Sequence, residues 1–300
     1  MIFIVPSLDL PGMMRKARAY LDLTRIVPNQ IMLGVGVIVG EVVSCAGPPP
    51  LREALLGFAG PFMLGMSTFA MNDYYDREAD LKGARMDRPL VRGDLSPEAA
   101  RLVFLAGFPI GILLSSAINV GCLLIAGAFS GLALMYNLHL KDTGLPGNLF
   151  IACTMAIPFV YGSVAVGGRL PVAILVLSSI AFLAGVGREV LKGIMDYEGD
   201  AVRDTKTIAR TRGIGYAARV SAICTLAAVS LSPIPFLSRA SGSFYHNFNY
   251  IGLVLLTDLI LAYVTVRALE LSRPQEAARL RSLSLVALSV GLLGFLLGSI

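Results

Sequence analysis

Along the chain, apolar residues gather into blocks about as long as the ~20 residues an α-helix needs to cross the hydrocarbon of a bilayer. Seven blocks stand alone, at 26–46, 54–71, 149–166, 171–186, 217–236, 250–266 and 283–300. The stretch 102–136 is too long for one crossing, and its polar break at Ser115, Ser116 and Asn119 predicts a tight turn between two helices. The pattern therefore predicts an all-α, polytopic membrane protein with nine transmembrane helices and its termini on opposite faces. Before the first block, Met13, Met14, Ala17, Tyr20 and Leu21 recur at helical spacing beside Arg15, Lys16 and Arg18, the pattern of a helix lying along the membrane surface. We divide the chain into an N-terminal segment, 1–25, carrying this helix, and a single transmembrane domain, 26–300.

Composition agrees. Hydrophobic residues make up 55% of the chain, charged residues 15%, and the mean hydropathy is +0.72, which excludes a water-soluble, disordered or fibrous protein. Four cysteines without a CxxC pair give neither a disulfide framework nor a zinc site. The opening 1–6 is too short, and lacks the basic flank, to be a secretory signal. In a nine-span arrangement 22 of the 25 Lys and Arg residues fall on one face, the other keeping only Arg52, Arg169 and Arg239. By the positive-inside rule the rich face, with the N-terminus, is cytoplasmic, in the cell membrane. The basic residues lack the fold signals of nucleic-acid binding, and no obligatory protein partner is evident.

The acids are concentrated. Two nine-residue windows, Asn72 to Asp80 and Asp196 to Asp204, hold eight of the twenty acidic residues. Each follows directly on an apolar span, and each belongs to the basic face. Asp76 and Asp80 are four apart, as are Asp196, Asp200 and Asp204. Like charges so placed share one side of a helix and repel unless a cation sits between them. Hard oxygen ligands that leave room for water and phosphate suit Mg²⁺, so each window has the character of half a magnesium–diphosphate site. Arg77, Lys82, Arg85, Arg88, Arg188 and Lys192 stand nearby to neutralise phosphate oxygens beyond the metal's reach.

These residues resemble a known family. Asn72-Asp73-x-x-Asp76-x-x-x-Asp80, continuing to Arg85 and Arg88-Pro89-Leu90, resembles the first signature of the UbiA superfamily of intramembrane prenyltransferases. Arg188-Glu189-x-x-Lys192 followed by Asp196-x-x-x-Asp200 resembles the second. Tyr136-Asn137-x-x-Leu140-Lys141 with Gly147-Asn148, and Arg25 with Asn29, are similar to weaker family features. Glu198-Gly199-Asp200 and the Arg188 to Lys192 lead-in look like the branch that makes archaeal ether lipids. The chain departs from many members at Gly193, where they carry an acid.

The resemblance implies transfer of a polyprenyl group, geranylgeranyl in that branch, from its diphosphate to the hydroxyl of geranylgeranylglyceryl phosphate. Related branches use aromatic quinone precursors or tetrapyrroles instead. It implies Mg²⁺ between the motifs, with Asn72, Asp76 and Asp80 on one ion, Asp196 and Asp200 on the other, and Asp73 and Asp204 as outer ligands. Asp76, Asp196 and Asp200 would be catalytic, and Arg25, Asn72, Arg85, Arg88, Lys141, Arg188, Lys192 and Tyr136 would bind substrate. Tyr74, Tyr136, Tyr161 and Tyr197 are candidates to shelter an allylic cation, or simply interfacial aromatics.

Asp258 lies mid-span and is expected to be a protonated or hydrogen-bonded core residue; Glu41, near the outer end of the first span, is expected to reach the interface. His139 falls on the cytoplasmic side and His246 opposite, neither with partners at metal-ligand spacing. The rival reading is a secondary transporter, which concentrates ionisable groups near the bilayer midplane. These spans are nearly free of them.

Overall fold

The computed structural model describes residues 12–168, 170–198, 205–271 and 276–300, and among these there are helices but no strands. The amphipathic segment forms α1 (Gly12–Thr24). Nine helices long and apolar enough to cross a membrane follow among the described residues. Their main α-helical parts are α2 (Ile31–Cys45), α3 (Leu51–Lys82), α4 (Pro97–Ser116), α5 (Val120–Met135), α6 (Leu145–Ala165), α7 (Val172–Met195), α8 (Ile214–Leu231), α9 (Phe248–Leu269) and α10 (Ala277–Ser299), the first, fourth and seventh spans running on as Ile26–Cys45, Val120–Thr143 and Ile214–Leu237. Neighbours in sequence pack against each other, and α10 returns to α2 and α7, closing the bundle. Leu102, Leu113, Leu124, Ile223 and Leu259 point outward, as helices solvated by lipid require.

The break between the fourth and fifth elements falls where the polar residues predicted it. Asn119 caps α5, accepting from the Cys122 amide at 2.8 Å, and its Nδ2 donates to the Val164 carbonyl of α6 at 2.9 Å. Ser115 is inside α4 instead, fully buried, with its hydroxyl donating to the Gly111 carbonyl. Asp258 is hydrogen-bonded but only half-buried, accepting from Ser232 Oγ at 2.6 Å, while Tyr250 donates to the Ser232 carbonyl. Glu41 does not reach the interface: it is fully buried against the Cα of Gly57 on α3.

Helices in lipid associate through close packing, so small residues decide where they cross. A Cβ on Gly40 of α2 would strike the Phe159 carbonyl of α6, and one on Gly162 of α6 would strike the Val37 carbonyl of α2. The obstacle at both positions is backbone, which has little room to yield. Gly40→Ala or Gly162→Ala is expected to destabilise the protein by about 1–3 kcal/mol, the usual cost of overpacking. The check is the unfolding midpoint of purified protein in detergent.

Candidate functional site

One end of the bundle gathers the ionisable groups. A helix of 32 residues is about 48 Å long, well beyond the ~30 Å hydrocarbon, so α3 carries its charged window Asn72–Asp80 out of the apolar layer without ending. The window is therefore a rigid rod of ligands and not a loop. Asp73 and Asp80 are seven residues apart, two turns, and both are almost wholly buried. Arg88, from the turn after α3, lies between them: its Nη1 is 3.3 Å from Asp73 Oδ1 and its Nε 3.7 Å from Asp80 Oδ2.

Asp73 receives a second cation from the other side. Arg25 closes α1 in the left-handed region (φ 48°, ψ 47°), which turns its side chain toward α3. Its Nη2 lies 2.6 Å from Asp73 Oδ1 and its guanidinium carbon 4.5 Å above the ring of Phe69, one helical turn before Asp73. Burial lowers the Arg25 pKa below its ordinary value, against the opposing pull of Asp73. Gln30 supports the turn, its buried amide donating to the Thr24 carbonyl at 3.4 Å beside Gly65. Salt bridges from Arg15 to Asp94 (2.7 Å) and from Arg92 to Asp22 (2.8 Å) tie α1 down.

Asn72 and Asp76 form the neighbouring stripe, Asn72 Nδ2 donating to Asp76 Oδ2 at 3.1 Å. Lys141, from the connection between α5 and α6, makes an ion pair with Asp76. Tyr136 stacks on Phe150 with ring centroids 5.0 Å apart, which fixes the start of that connection. The connection is also pinned to the far side of the second window. Thr205 Oγ1 donates to Asp142 Oδ1 at 3.0 Å and the Lys206 amide to the Asp142 carbonyl at 2.9 Å. Gly144, at φ 74°, is needed here because a Cβ would strike the Lys206 carbonyl.

Arg85 stands where the charges of both acidic windows are felt. Its guanidinium makes two 2.9 Å hydrogen bonds to Asp87 and lies in electrostatic range of both Asp80 and Asp196. Donating these hydrogen bonds to Asp87 raises the Arg85 pKa, and the Asp87 carboxyl is held down at about 2. Asp196 stands immediately after α7, at the same end of the bundle as the first window. Asp200 and Asp204 lie outside the described residues. Deeper on α7, Glu189 is 3.0 Å from Arg188 Nη1 and 3.4 Å from Lys192 Nζ.

The aromatic candidates divide. Tyr74 packs edge-on to Phe104, and Tyr197 packs on the apolar core beneath the second window. Tyr161 is elsewhere: near the far end of α6, about 20 Å along the axis from Asn148, it donates to Ser115 Oγ at 2.8 Å. It cannot face a cation formed beside Asp76. Phe69 and Asp87 escaped the sequence reading. Phe69 carried one usable signal, its position four residues before Asp73.

Among the described residues no three His, Cys, Asp or Glu side chains converge closely enough to hold a metal ion. The donors of the first window do fit Mg²⁺ in kind, being hard oxygens throughout. The buried Oδ2 of Asp73 has no hydrogen-bond partner among the described residues, as a carboxylate oxygen kept for a cation requires. Diphosphate oxygens would have to complete such a shell.

The model of the UbiA prenyltransferase family matches residues 33–296. A digeranylgeranylglyceryl phosphate synthase of Archaeoglobus fulgidus is 40% identical over 291 residues, covering 97% of this chain and 98% of that one. A solved structure described as giving structural and mechanistic insights into the biosynthesis of digeranylgeranylglyceryl phosphate synthase in membranes superposes with a TM-score of 0.76. It is 25% identical, with 95% of this chain and 99% of that one covered. A UbiA homolog from Archaeoglobus fulgidus bound to GPP and Mg²⁺ shares the fold with a TM-score of 0.66 at 19% identity, covering 94% of this chain and all of that one. Family and fold together set aside the transporter alternative: the chain is an integral, multi-pass membrane enzyme and belongs to the UbiA prenyltransferase family.

Proposed function

We propose that the protein transfers a geranylgeranyl group from its diphosphate to the free hydroxyl of geranylgeranylglyceryl phosphate, at the cytoplasmic face of the cell membrane. The observation that carries this reading is that both acidic windows begin at the same end of the bundle, with Arg25, Arg88 and Lys141 paired into the first and Arg85 under the charge of both Asp80 and Asp196. The name of the 40%-identical relative supports the acceptor, and the one-sided Lys and Arg distribution supports a cytoplasmic N-terminus and site.

In the reaction the bond from the allylic carbon to the diphosphate oxygen breaks, and a new carbon–oxygen bond forms to the acceptor hydroxyl, which gives up its proton. Asn72, Asp73, Asp76 and Asp80, together with Asp196 and Asp200 of the second window, would hold Mg²⁺, which when bound supplies charge to the leaving diphosphate. Arg85, Arg88 and Lys141 add fixed positive charge where negative charge develops, an effect worth most at a water-poor boundary. Arg25 keeps Asp73 aimed while contributing its own charge. The prenyl chain would stay in the apolar layer, on the membrane side of the charged end of α3.

Chelation of divalent metal is expected to stop diphosphate release, and added Mg²⁺ to restore it. The acceptor is tested with labelled geranylgeranyl diphosphate and a panel of acceptors. Conversion of geranylgeranylglyceryl phosphate supports the reading, whereas exclusive use of an aromatic or tetrapyrrole acceptor overturns it.

A further inference from the structure

Arg281 belongs to neither acidic window, and α10 carries none of the residues discussed so far, yet this side chain reaches the site. From the second turn of α10 its Nη1 comes within 3.9 Å of Met195 Sδ on α7, and its charge acts on both Arg188 and Glu189. Glu189 is already shared by Arg188 and Lys192 and is only 6% exposed. Two cations thus contact this carboxylate, and a third, Arg281, stands close enough for its charge to be felt there. Arg188, held by Glu189 through its Nη1 at 3.0 Å, also lines a cavity of ≈ 10 Å³ with Thr265 of α9 and Ser284 of α10.

The first window is different. There Asp73, Asp76 and Asp80 face Arg25, Arg88 and Lys141, three charges of each sign. A balanced cluster takes up a divalent cation and a diphosphate together. Among the described residues, Arg188, Lys192 and Arg281 around Glu189 leave two surplus positive charges, which repel a divalent cation and favour a bare anion, the more strongly where little water screens them. Asp196, one turn beyond Lys192, does not cancel the surplus alone and is engaged electrostatically with Arg85. A phosphomonoester carries about −1.5 to −2 near pH 7, which matches the surplus. The spacing matches as well. Lys192 and Asp196 are separated by about 6 Å along the helix axis. In a glycerol phosphate lipid the reacting hydroxyl and the phosphate are on neighbouring carbons, so the phosphate must bind within about this distance of the leaving group.

We infer that Arg188, Lys192 and Arg281 form a metal-free subsite for the phosphomonoester of the acceptor. This rests on the proposed use of a lipid phosphate as acceptor, and equilibrium binding separates the two ideas. With chelator present and no donor, wild-type protein in detergent is expected to bind geranylgeranylglyceryl phosphate at least 10-fold more tightly than geranylgeranylglycerol, by calorimetric titration. Arg281→Gln should erase that preference while binding the alcohol as wild type does, and Arg281→Lys should keep most of it. Equal binding of the two lipids by wild type, or a full preference in Arg281→Gln, overturns the subsite. So does a rise in KM for geranylgeranyl diphosphate equal to that for the acceptor in Arg281→Gln, since the cluster would then serve the donor. A wild-type protein that prefers the phosphorylated lipid but never converts it leaves the subsite standing and overturns the acceptor assignment instead.

Discussion

Asp76→Asn is expected to lower turnover at least about a thousand-fold while the protein remains folded and membrane-inserted. The side chain keeps its shape and its hydrogen-bonding reach to Asn72. What it loses is the charge that pairs with Lys141 and that would hold Mg²⁺ on the diphosphate. Interactions made with charge that develops only as the leaving group departs act on the transition state, so kcat should fall far more than substrate binding weakens. Asp196→Asn should behave alike, because Arg85 couples the second window to the first. Diphosphate release and lipid product are measured together, with elution on size exclusion as the control for folding. Near-normal turnover in both variants would remove the two-window site.

The second large effect is on stability. Asp73 is 1% exposed and takes charge from Arg25 at 2.6 Å and Arg88 at 3.3 Å. Removing one member of a buried ionic group leaves its partners charged and unpaired, which costs about 3–5 kcal/mol. Asp73→Ala is therefore expected to cost that amount, read as a lower unfolding midpoint in detergent. Arg25→Ala should cost less, since Arg88 still serves Asp73. In the double variant Arg25 is no longer stranded, so the combined loss should be smaller than the two single losses added together. Strict additivity would show that the pair seen at 2.6 Å contributes nothing as a pair.

The number of spans, the turn at Asn119 and the two acidic windows were legible because each is a local property: block length, a capping residue, a count of charges. That the first window is helical to Lys82 was not. At a membrane boundary polarity rises whether the chain loops or continues as a helix, so hydropathy does not distinguish them. Glu41 and Tyr161 were misjudged for a related reason. Position within a span gives depth, but burial depends on what a neighbouring helix offers, here the bare Cα of Gly57 and the hydroxyl of Ser115. The Arg25–Phe69–Asp73 arrangement needed α1 and α3 side by side, a contact across 48 residues that no periodicity encodes. Arg281 was legible only as one more cation before the last apolar block, and its neighbours on α7 are 86 to 93 positions away.

The central claim is that both acidic windows grip one metal–diphosphate unit, and Mn²⁺ in place of Mg²⁺ makes that visible. Electron paramagnetic resonance of protein titrated with Mn²⁺, with and without an unreactive thio-analogue of geranylgeranyl diphosphate, should show tight Mn²⁺ uptake only when the analogue is present. Asp76→Asn and Asp196→Asn should each lose it. Tight uptake that survives in either variant, or that ignores the analogue, would contradict the account.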